Sequence, residues 1–200
     1  EYFKAKKIGI FTMSDEYGVY YRDNIKKYLE EKNVQPAAVE TCNPGDVDFT
    51  SQLTRLKEVD PDVVLLTMWI QDAAVMIQQA KKLGVNPLWI GAGPTGEEPF
   101  AVMAGEAAVG TMHLWPFKYL LTDTHVPIVA KFREEFKKRI GEKPGRPSGG
   151  DMMNYNGAMV FCEGLKRVGK DLNRDKLVST FESMKNFDSL LATPVTFSKD

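Results

Sequence analysis

Short apolar runs alternate with amphipathic stretches through the first 115 residues of the chain. The run from Asp62 to Thr67 is almost entirely apolar, which is typical of a strand buried on both faces of a parallel sheet. We predict five strands, at Lys7 to Thr12, Ala37 to Thr41, Asp62 to Thr67, Leu88 to Gly91 and about Gly110 to Leu114. Four helices are predicted between them, the third from Gln71 to Leu83. This alternation predicts an α/β fold built on a doubly wound parallel sheet.

Capping residues mark the ends of these helices. Ser14 and Asp15 precede the first helix, and Asp48 or Thr50 is the predicted N-cap of the second. Gly84 is the predicted left-handed residue that ends the third helix.

The chain after about residue 117 has helices but few strand candidates. One apolar stripe recurs every fourth residue, at Ile128, Phe132, Phe136 and Ile140, on a helix that begins at Pro127. Further helices are predicted from about Asp151 to Val168 and from Arg174 to Met184, and a last strand from Thr193 to Ser198. Three helices with one or two strands cannot bury their apolar stripes alone. We therefore expect this part to need a sheet that the chain does not supply.

The composition is that of an ordinary globular protein. Of the 200 residues, 43% are hydrophobic and 26% are charged, and the formal net charge is -1. The balance of 26 basic and 27 acidic residues argues against a nucleic-acid-binding surface, and the hydrophobic content argues against a disordered chain. No apolar run approaches the ~18–20 residues that cross a bilayer.

Aromatic and glycine residues follow the predicted strands. Ligands of open α/β sheets bind beyond the carboxyl ends of the strands, where Tyr17 follows the first strand and Trp69 the third. Gly91, Gly93 and Gly96 follow the fourth strand and allow backbone to approach a ligand closely. These residues suit the binding of a small molecule. Two alternatives stay open, that Tyr17 only fixes the first helix and that Trp69 only packs in an interdomain surface.

The chain offers no clustered catalytic or metal-binding set. His113 and His125 lie in different predicted elements, as do Cys42 and Cys162, so we expect no metal site. A nucleophilic pair of Cys42 and His113 is the alternative, but a small buried cysteine and a strand-end histidine are favoured. We expect no enzyme activity, no catalytic residue and no cofactor.

Several short motifs together resemble one family. They are Asp15-Glu16-Tyr17-Gly18, the segments NPGDVDF at 43–49 and LTRLK at 53–57, Pro61-Asp62-Val63-Val64, QAKKLG at 79–84 and AGEAAVG at 104–110. In this order and spacing they resemble the branched-chain amino acid (leucine/isoleucine/valine) type of periplasmic binding protein, the receptors of ABC importers. The resemblance extends over nearly the whole chain.

The resemblance implies a type I periplasmic binding protein fold, in which two α/β lobes with flavodoxin-like strand order close on a ligand by a hinge motion. Residues 1–116 resemble the complete second lobe. Residues 117–200 resemble crossover and C-terminal elements, including helices of the partner lobe, that would complete the first lobe. We expect the family's N-terminal portion and signal sequence to lie outside this chain. The implied location is periplasmic or extracellular, with a membrane-anchored lipoprotein as one form.

The family's binding residues carry over at few positions. Tyr17 and Trp69, with Ile70 beside it, match positions that line the cleft, and Gly93 and Thr95 lie on the loop after the fourth strand. In the amino acid binders an acidic residue at the position of Gly93 pairs with the ligand ammonium. Because a buried ammonium without a counter-charge is costly, we predict a larger or less cationic ligand, such as an aromatic or aliphatic acid or an amide.

The resemblance implies a solute-binding receptor whose partners are a small-molecule ligand and an ABC permease, with neither nucleic acid nor metal. The alternative is a ligand-sensing regulator or receptor domain of the same fold, of the amide-sensor type. We also expect apolar surface around Phe132, Phe136 and Met159 to drive self-association of the chain, as a dimer or with exchanged elements.

Overall fold

The computed structural model describes residues 4–118, 123–141 and 147–198. The chain divides into two compact units, residues 1–115 and residues 116–200. The first unit is built on a sheet flanked by helices, and the second consists mainly of helices.

Within the described residues, the first unit contains a five-stranded sheet in the order β2-β1-β3-β4-β5. The strands are β1 (Ile8–Met13), β2 (Ala38–Cys42), β3 (Val63–Thr67), β4 (Leu88–Gly91) and β5 (Met112–His113). Every neighbouring pair is parallel. Ile10 of β1 lies between Val39 of β2 and Leu65 of β3. The predicted α/β class and parallel sheet are confirmed, although β5 is shorter than expected.

Helices follow the strands of the first unit. They are α1 (Glu16–Glu31), α2 (Thr50–Val59), α3 (Ile70–Leu83) and α4 (Glu98–Ala104). Asp15 is the N-cap of α1 and the left-handed Gly84 ends α3, as predicted. The predicted N-cap of α2 is wrong, because α2 begins after Phe49 without a side-chain cap. The Asp48 carboxylate instead accepts hydrogen bonds from the backbone and hydroxyl of Thr50.

One continuous core joins strands β1 to β4 with helices α2, α3 and α4. Its largest fully buried side chains include Phe11, Phe49, Leu53, Ile77 and Phe100. Burial of each large apolar side chain contributes about 1.5–3 kcal/mol. Strand β3 is buried at four of its five positions, which agrees with its central place in the sheet.

The second unit contains α5 (Pro127–Ile140), α6 (Gly149–Val168) and α7 (Arg174–Ser183). Helix α6 begins with a capping box, in which Ser148 and Asp151 exchange side-chain and backbone hydrogen bonds. Met152 is fully buried, whereas the adjacent Met153 is exposed. None of the helices in the described ranges is long and apolar enough to span a membrane.

The predicted apolar stripe of α5 is wrong at its C-terminal end. Val129 and Phe132 are buried, but Ile140 is 53% exposed, because the charged last turn lies at the surface. Phe132 packs against the rings of Phe136 and Tyr155. Phe132 is therefore a core residue of this unit, and the expectation that it forms uncovered apolar surface is wrong.

The predicted last strand is also absent from the described part of the chain. Val195 forms one isolated antiparallel bridge with Phe187, and Leu191 forms another with Phe117. Pro194 has no backbone N–H to donate, so a regular ladder through this segment is interrupted.

Candidate ligand-binding rim

Four loops leave the carboxyl ends of β1 to β4 and carry the candidate site. Together with the first residues of the helices that follow, we call them the carboxyl rim, residues 14–18, 43–49, 68–72 and 92–98. The Ser14 hydroxyl donates a hydrogen bond to Asn43 Oδ1 at 2.8 Å, and the Gly45 backbone N–H donates to Asp72 Oδ1 at 3.0 Å. These bonds tie loops that are distant in sequence into one surface.

Tyr17 and Trp69 form a stacked aromatic pair at the centre of this rim. Their ring centroids lie 4.9 Å apart with an interplanar angle of 25°. Tyr17 lies in the first turn of α1 and Trp69 is the N-cap of α3, so the adjacency of β1 and β3 brings them together. Tyr21 packs its ring edge against Tyr17 at 5.0 Å. Tyr17 is partly buried, whereas 43% of Trp69 is exposed.

Asp15 fixes the pair through both carboxylate oxygens. Oδ1 accepts the Gly18 backbone N–H at 2.8 Å and caps α1, while Oδ2 accepts the Trp69 indole N–H, also at 2.8 Å. The Trp69 backbone N–H donates to the Met13 sulfur at 3.2 Å. Both the main chain and the indole of Trp69 are therefore attached to β1 and to the start of α1.

Tyr17 also contacts the loop after β4. Its hydroxyl donates to the Ala92 carbonyl at 3.4 Å. Gly93 has a φ of +62°, and a Cβ atom there would lie 2.5 Å from the Tyr17 hydroxyl oxygen. Burial raises the pKa of Tyr17 to about 12, with smaller contributions from Tyr21 and Asp15, so the phenol keeps its proton near neutral pH. Gly93 thus leaves room for the Tyr17 hydroxyl.

Thr95, in the same loop, packs against His113 of β5. Thr95 is 1% exposed, and its hydroxyl lies 3.3 Å from His113 Nδ1. The Thr111 hydroxyl lies 2.9 Å from His113 Nε2. Burial lowers the pKa of His113. A Cβ atom at Gly91 would lie 2.1 Å from the Thr95 hydroxyl oxygen, so Gly91 makes room for a protein side chain.

The carboxyl rim is strongly acidic. Its loops contain seven acids and no lysine, arginine or histidine; the acids are Asp15, Glu16, Asp46, Asp48, Asp72, Glu97 and Glu98. Several are held by backbone N–H groups, as in the bonds from Asn43 to Asp46 and from Gly45 to Asp72. Hydrogen bonds from Thr50 lower the pKa of Asp48. Asp15 caps α1, and Asp46 and Asp48 accept hydrogen bonds within their turn, so these carboxylates also serve local structure. The rim segments carry a net negative formal charge.

Of the five site residues predicted from the sequence, some lie together at the carboxyl rim and others are partly or fully buried. Tyr17, Trp69 and Gly93 lie together, and Ile70 is partly buried against the core. Thr95 lies in the loop after β4 with its side chain buried, so its role as a ligand contact stays a prediction. Sequence reasoning missed Asp15 as a partner of Trp69, because the N-cap signal is local and the indole bond joins residues 54 positions apart.

The alternative nucleophilic pair is not assembled. Cys42 lies on β2 and His113 on β5, at opposite edges of the sheet. Burial raises the pKa of Cys42 to about 12, which suits a structural cysteine. Among residues that the structure describes, no group of three or more His, Cys, Asp or Glu side chains is arranged to hold a metal ion.

Comparison with known proteins identifies the family. A family model for periplasmic binding proteins matches residues 1–200. The chain therefore belongs to the periplasmic binding protein family. It is similar to Leu/Ile/Val-binding protein homolog 7 of Brucella suis, with 28% identity over 168 residues, which cover 82% of this chain and 42% of that protein. The chain thus spans less than half the length of this relative.

Solved structures share the fold. A leucine-binding protein from Thermotoga maritima superposes with a TM-score of 0.76 and 22% identity, covering 100% of this chain and 55% of the other. The isoleucine complex of a branched-chain amino acid binding protein from Streptococcus pneumoniae gives a TM-score of 0.77 with 21% identity and coverages of 100% and 54%. The resemblance to the branched-chain amino acid type of binding protein is confirmed.

Proposed function

We propose that the natural protein carrying this chain is an extracytoplasmic solute-binding receptor of an ABC importer. The observation that carries the proposal is the stacked Tyr17–Trp69 pair, with Trp69 exposed, at the carboxyl rim of a parallel sheet in a chain of the periplasmic binding protein family. The Brucella relative is named as a Leu/Ile/Val-binding protein homolog and the Streptococcus pneumoniae structure as a transporter substrate-binding protein, so the regulator alternative is not favoured. Its partners are a small-molecule ligand and an ABC permease, and it acts in the periplasm or outside the cell.

The receptor works by differential affinity and needs no catalytic group. Residues 1–116 are the second lobe, and residues 117–200 are crossover and C-terminal elements of the first. The division into units at residues 115 and 116 supports this assignment. Ligand contacts from both lobes stabilise a closed form, which the permease recognises. Tyr17, Trp69, Ile70, Gly93 and Thr95 form the second lobe's contribution to the ligand site.

The ligand is a small organic solute of the amino acid, carboxylic acid or amide class. Calorimetric titration of the natural protein with leucine, isoleucine and valine, their 2-oxo acids, aromatic acids and amides tests this. We expect the natural protein to bind at least one of these compounds. The heat of binding should be lost in the Trp69→Ala variant. The exposed Tyr28→Phe variant of α1 serves as the control. Absence of binding by every member contradicts the receptor function.

We further propose that the isolated chain self-associates through its second unit. Six apolar side chains line a cavity of about 480 Å³ there, which we call the apolar hollow: Val160, Phe161, Phe181, Leu191, Val195 and Phe197. Phe161 is 49% exposed and stacks on Phe181. Exposed apolar surface of this kind favours association.

A further inference from the structure

We propose that Asp15 and Gly93 are positioning residues that set ligand specificity. They hold Trp69 and Tyr17 as a rigid aromatic platform, which selects a ligand presenting a flat aromatic ring without negative charge. The inference rests on the proposed function of the carboxyl rim as a ligand site.

Rigidity comes from contacts that hold the two rings separately. Trp69 is bonded at its indole to Asp15 Oδ2 and at its backbone to the Met13 sulfur. Tyr17 is bonded at its hydroxyl to Ala92, in the space that Gly93 leaves open. A side chain already ordered in the free protein loses little conformational entropy on binding. The platform is therefore pre-organised for a flat partner.

The open surface of the platform suits a ring. Tyr17 covers one face of the indole, yet 43% of Trp69 remains exposed. An indole ring is flat and largely apolar, and offset stacking is the favoured geometry between aromatic rings. A branched aliphatic group would bury apolar area there but would gain no stacking interaction.

Charge restricts which rings fit. The faces of aromatic rings carry negative quadrupole potential, and the carboxylates of Asp15, Asp46 and Asp72 belong to the same rim. Asp15 lies in direct contact with Trp69. A negative substituent on the ring is repelled, whereas a neutral or cationic ring is accepted. Where the ligand is an acid, its carboxylate must therefore lie at the end away from the ring and be bound outside the carboxyl rim.

Matched ligand pairs test the selectivity. The natural protein is titrated with 3-phenylpropanoate against 4-methylpentanoate, with the two corresponding amides, and with 3-(4-carboxyphenyl)propanoate. We expect the phenyl member of each pair to bind about three- to tenfold more tightly than the branched member, and the carboxyphenyl compound to bind at least about threefold more weakly than 3-phenylpropanoate. Equal or tighter binding of the aliphatic members overturns the inference and leaves the receptor function intact. Absence of binding by all five compounds and by the amino acid panel overturns both.

Asp15→Asn tests the positioning role. Asparagine caps a helix as well as aspartate does, so α1 is retained. Only one of its two terminal atoms is an acceptor oxygen, so it cannot reproduce the separate bonds that Asp15 Oδ1 and Oδ2 accept from Gly18 and Trp69. We expect the ring preference to fall at least threefold and the Trp69 indole N–H resonance to shift toward that of an exposed indole. Asp23→Asn makes the same charge change on the exposed face of α1 and should alter neither.

Trp69→Phe gives a second test of the positioning role of Asp15, because this substitution keeps an aromatic ring and removes the indole N–H. In this background Asp15→Asn should produce no further change in ring preference. An unchanged indole resonance and an unchanged ring preference in the Asp15→Asn single variant refute the proposal. If that variant does not fold, a ring preference kept undiminished in Trp69→Phe refutes it instead.

Discussion

Gly93 and Gly45 both have positive φ angles in the carboxyl rim, yet they differ in their surroundings. Gly45 has a φ of +84° and open space where a Cβ would lie, whereas a Cβ at Gly93 would meet the Tyr17 hydroxyl. We predict that Gly93→Ala lowers the free energy of unfolding by at least about 1 kcal/mol more than Gly45→Ala does. Chemical denaturation followed by tryptophan fluorescence measures the difference.

Tyr17→Phe supplies the complementary test of this contact. The ring carbon of Tyr17 that bears the hydroxyl lies 3.6 Å from the place where a Cβ at Gly93 would be, which is an ordinary contact distance. Removal of the hydroxyl should therefore relieve most of the extra cost of Gly93→Ala. Equal destabilisation by the two glycine substitutions would contradict the steric argument.

His113 gives the first unit a predictable pH dependence. Burial lowers the pKa of the folded imidazole below its usual value of 6.5, so the unfolded chain binds a proton more readily. Stability from this group is complete above pH 6.5 and declines as the pH falls through that value. Urea unfolding between about pH 8 and about pH 5 should show this decline, with a smaller slope in His113→Gln. A slope in His113→Gln equal to that of the wild type would contradict the assignment of the decline to His113.

The capping box of α6 contributes to the stability of this single helix. Ser148 accepts the Asp151 backbone N–H, and the Asp151 carboxylate accepts the Ser148 N–H. We predict that Ser148→Ala lowers the free energy of unfolding by about 1 kcal/mol, because the first turn of α6 loses its side-chain acceptor. Thermal unfolding followed by circular dichroism measures the loss.

Ser179→Ala in α7 is the matched control for this substitution. Its hydroxyl donates to the Lys176 carbonyl within the helix and caps no terminus. Its removal should change stability by less than about 0.5 kcal/mol. A loss in Ser148→Ala no larger than in Ser179→Ala would show that the capping box contributes little.

Association of the whole chain is expected to depend on the apolar hollow. We predict that Phe161→Ser weakens self-association of the 200-residue chain at least about tenfold, because it removes exposed apolar surface from the second unit. Sedimentation equilibrium over a range of concentrations measures the change. Val109→Ser alters a residue that is 77% exposed in the first unit and should leave association unchanged. A wild-type chain that stays monomeric would refute the association proposal.

The sequence by itself determined the alternation of strands and helices, the central position of β3 and most helix ends. These features are local, because residue spacing and capping chemistry act within one element. Gly84 ends α3 through its own backbone conformation, and β3 shows its burial in an unbroken apolar run. The aromatic character of the site was equally visible, since Tyr17 and Trp69 closely follow strands.

Only the tertiary structure decided what those site residues contact. The Asp15–Trp69 bond and the Tyr17–Gly93 approach join loops from β1, β3 and β4, which belong to one sheet although the paired residues lie 54 and 76 positions apart along the chain. The uncovered end of α5 was likewise set by its surroundings, whereas the predicted last strand is interrupted locally, at Pro194. Periodicity specifies which side of an element is apolar, whereas the identity of the partner is fixed by how elements pack.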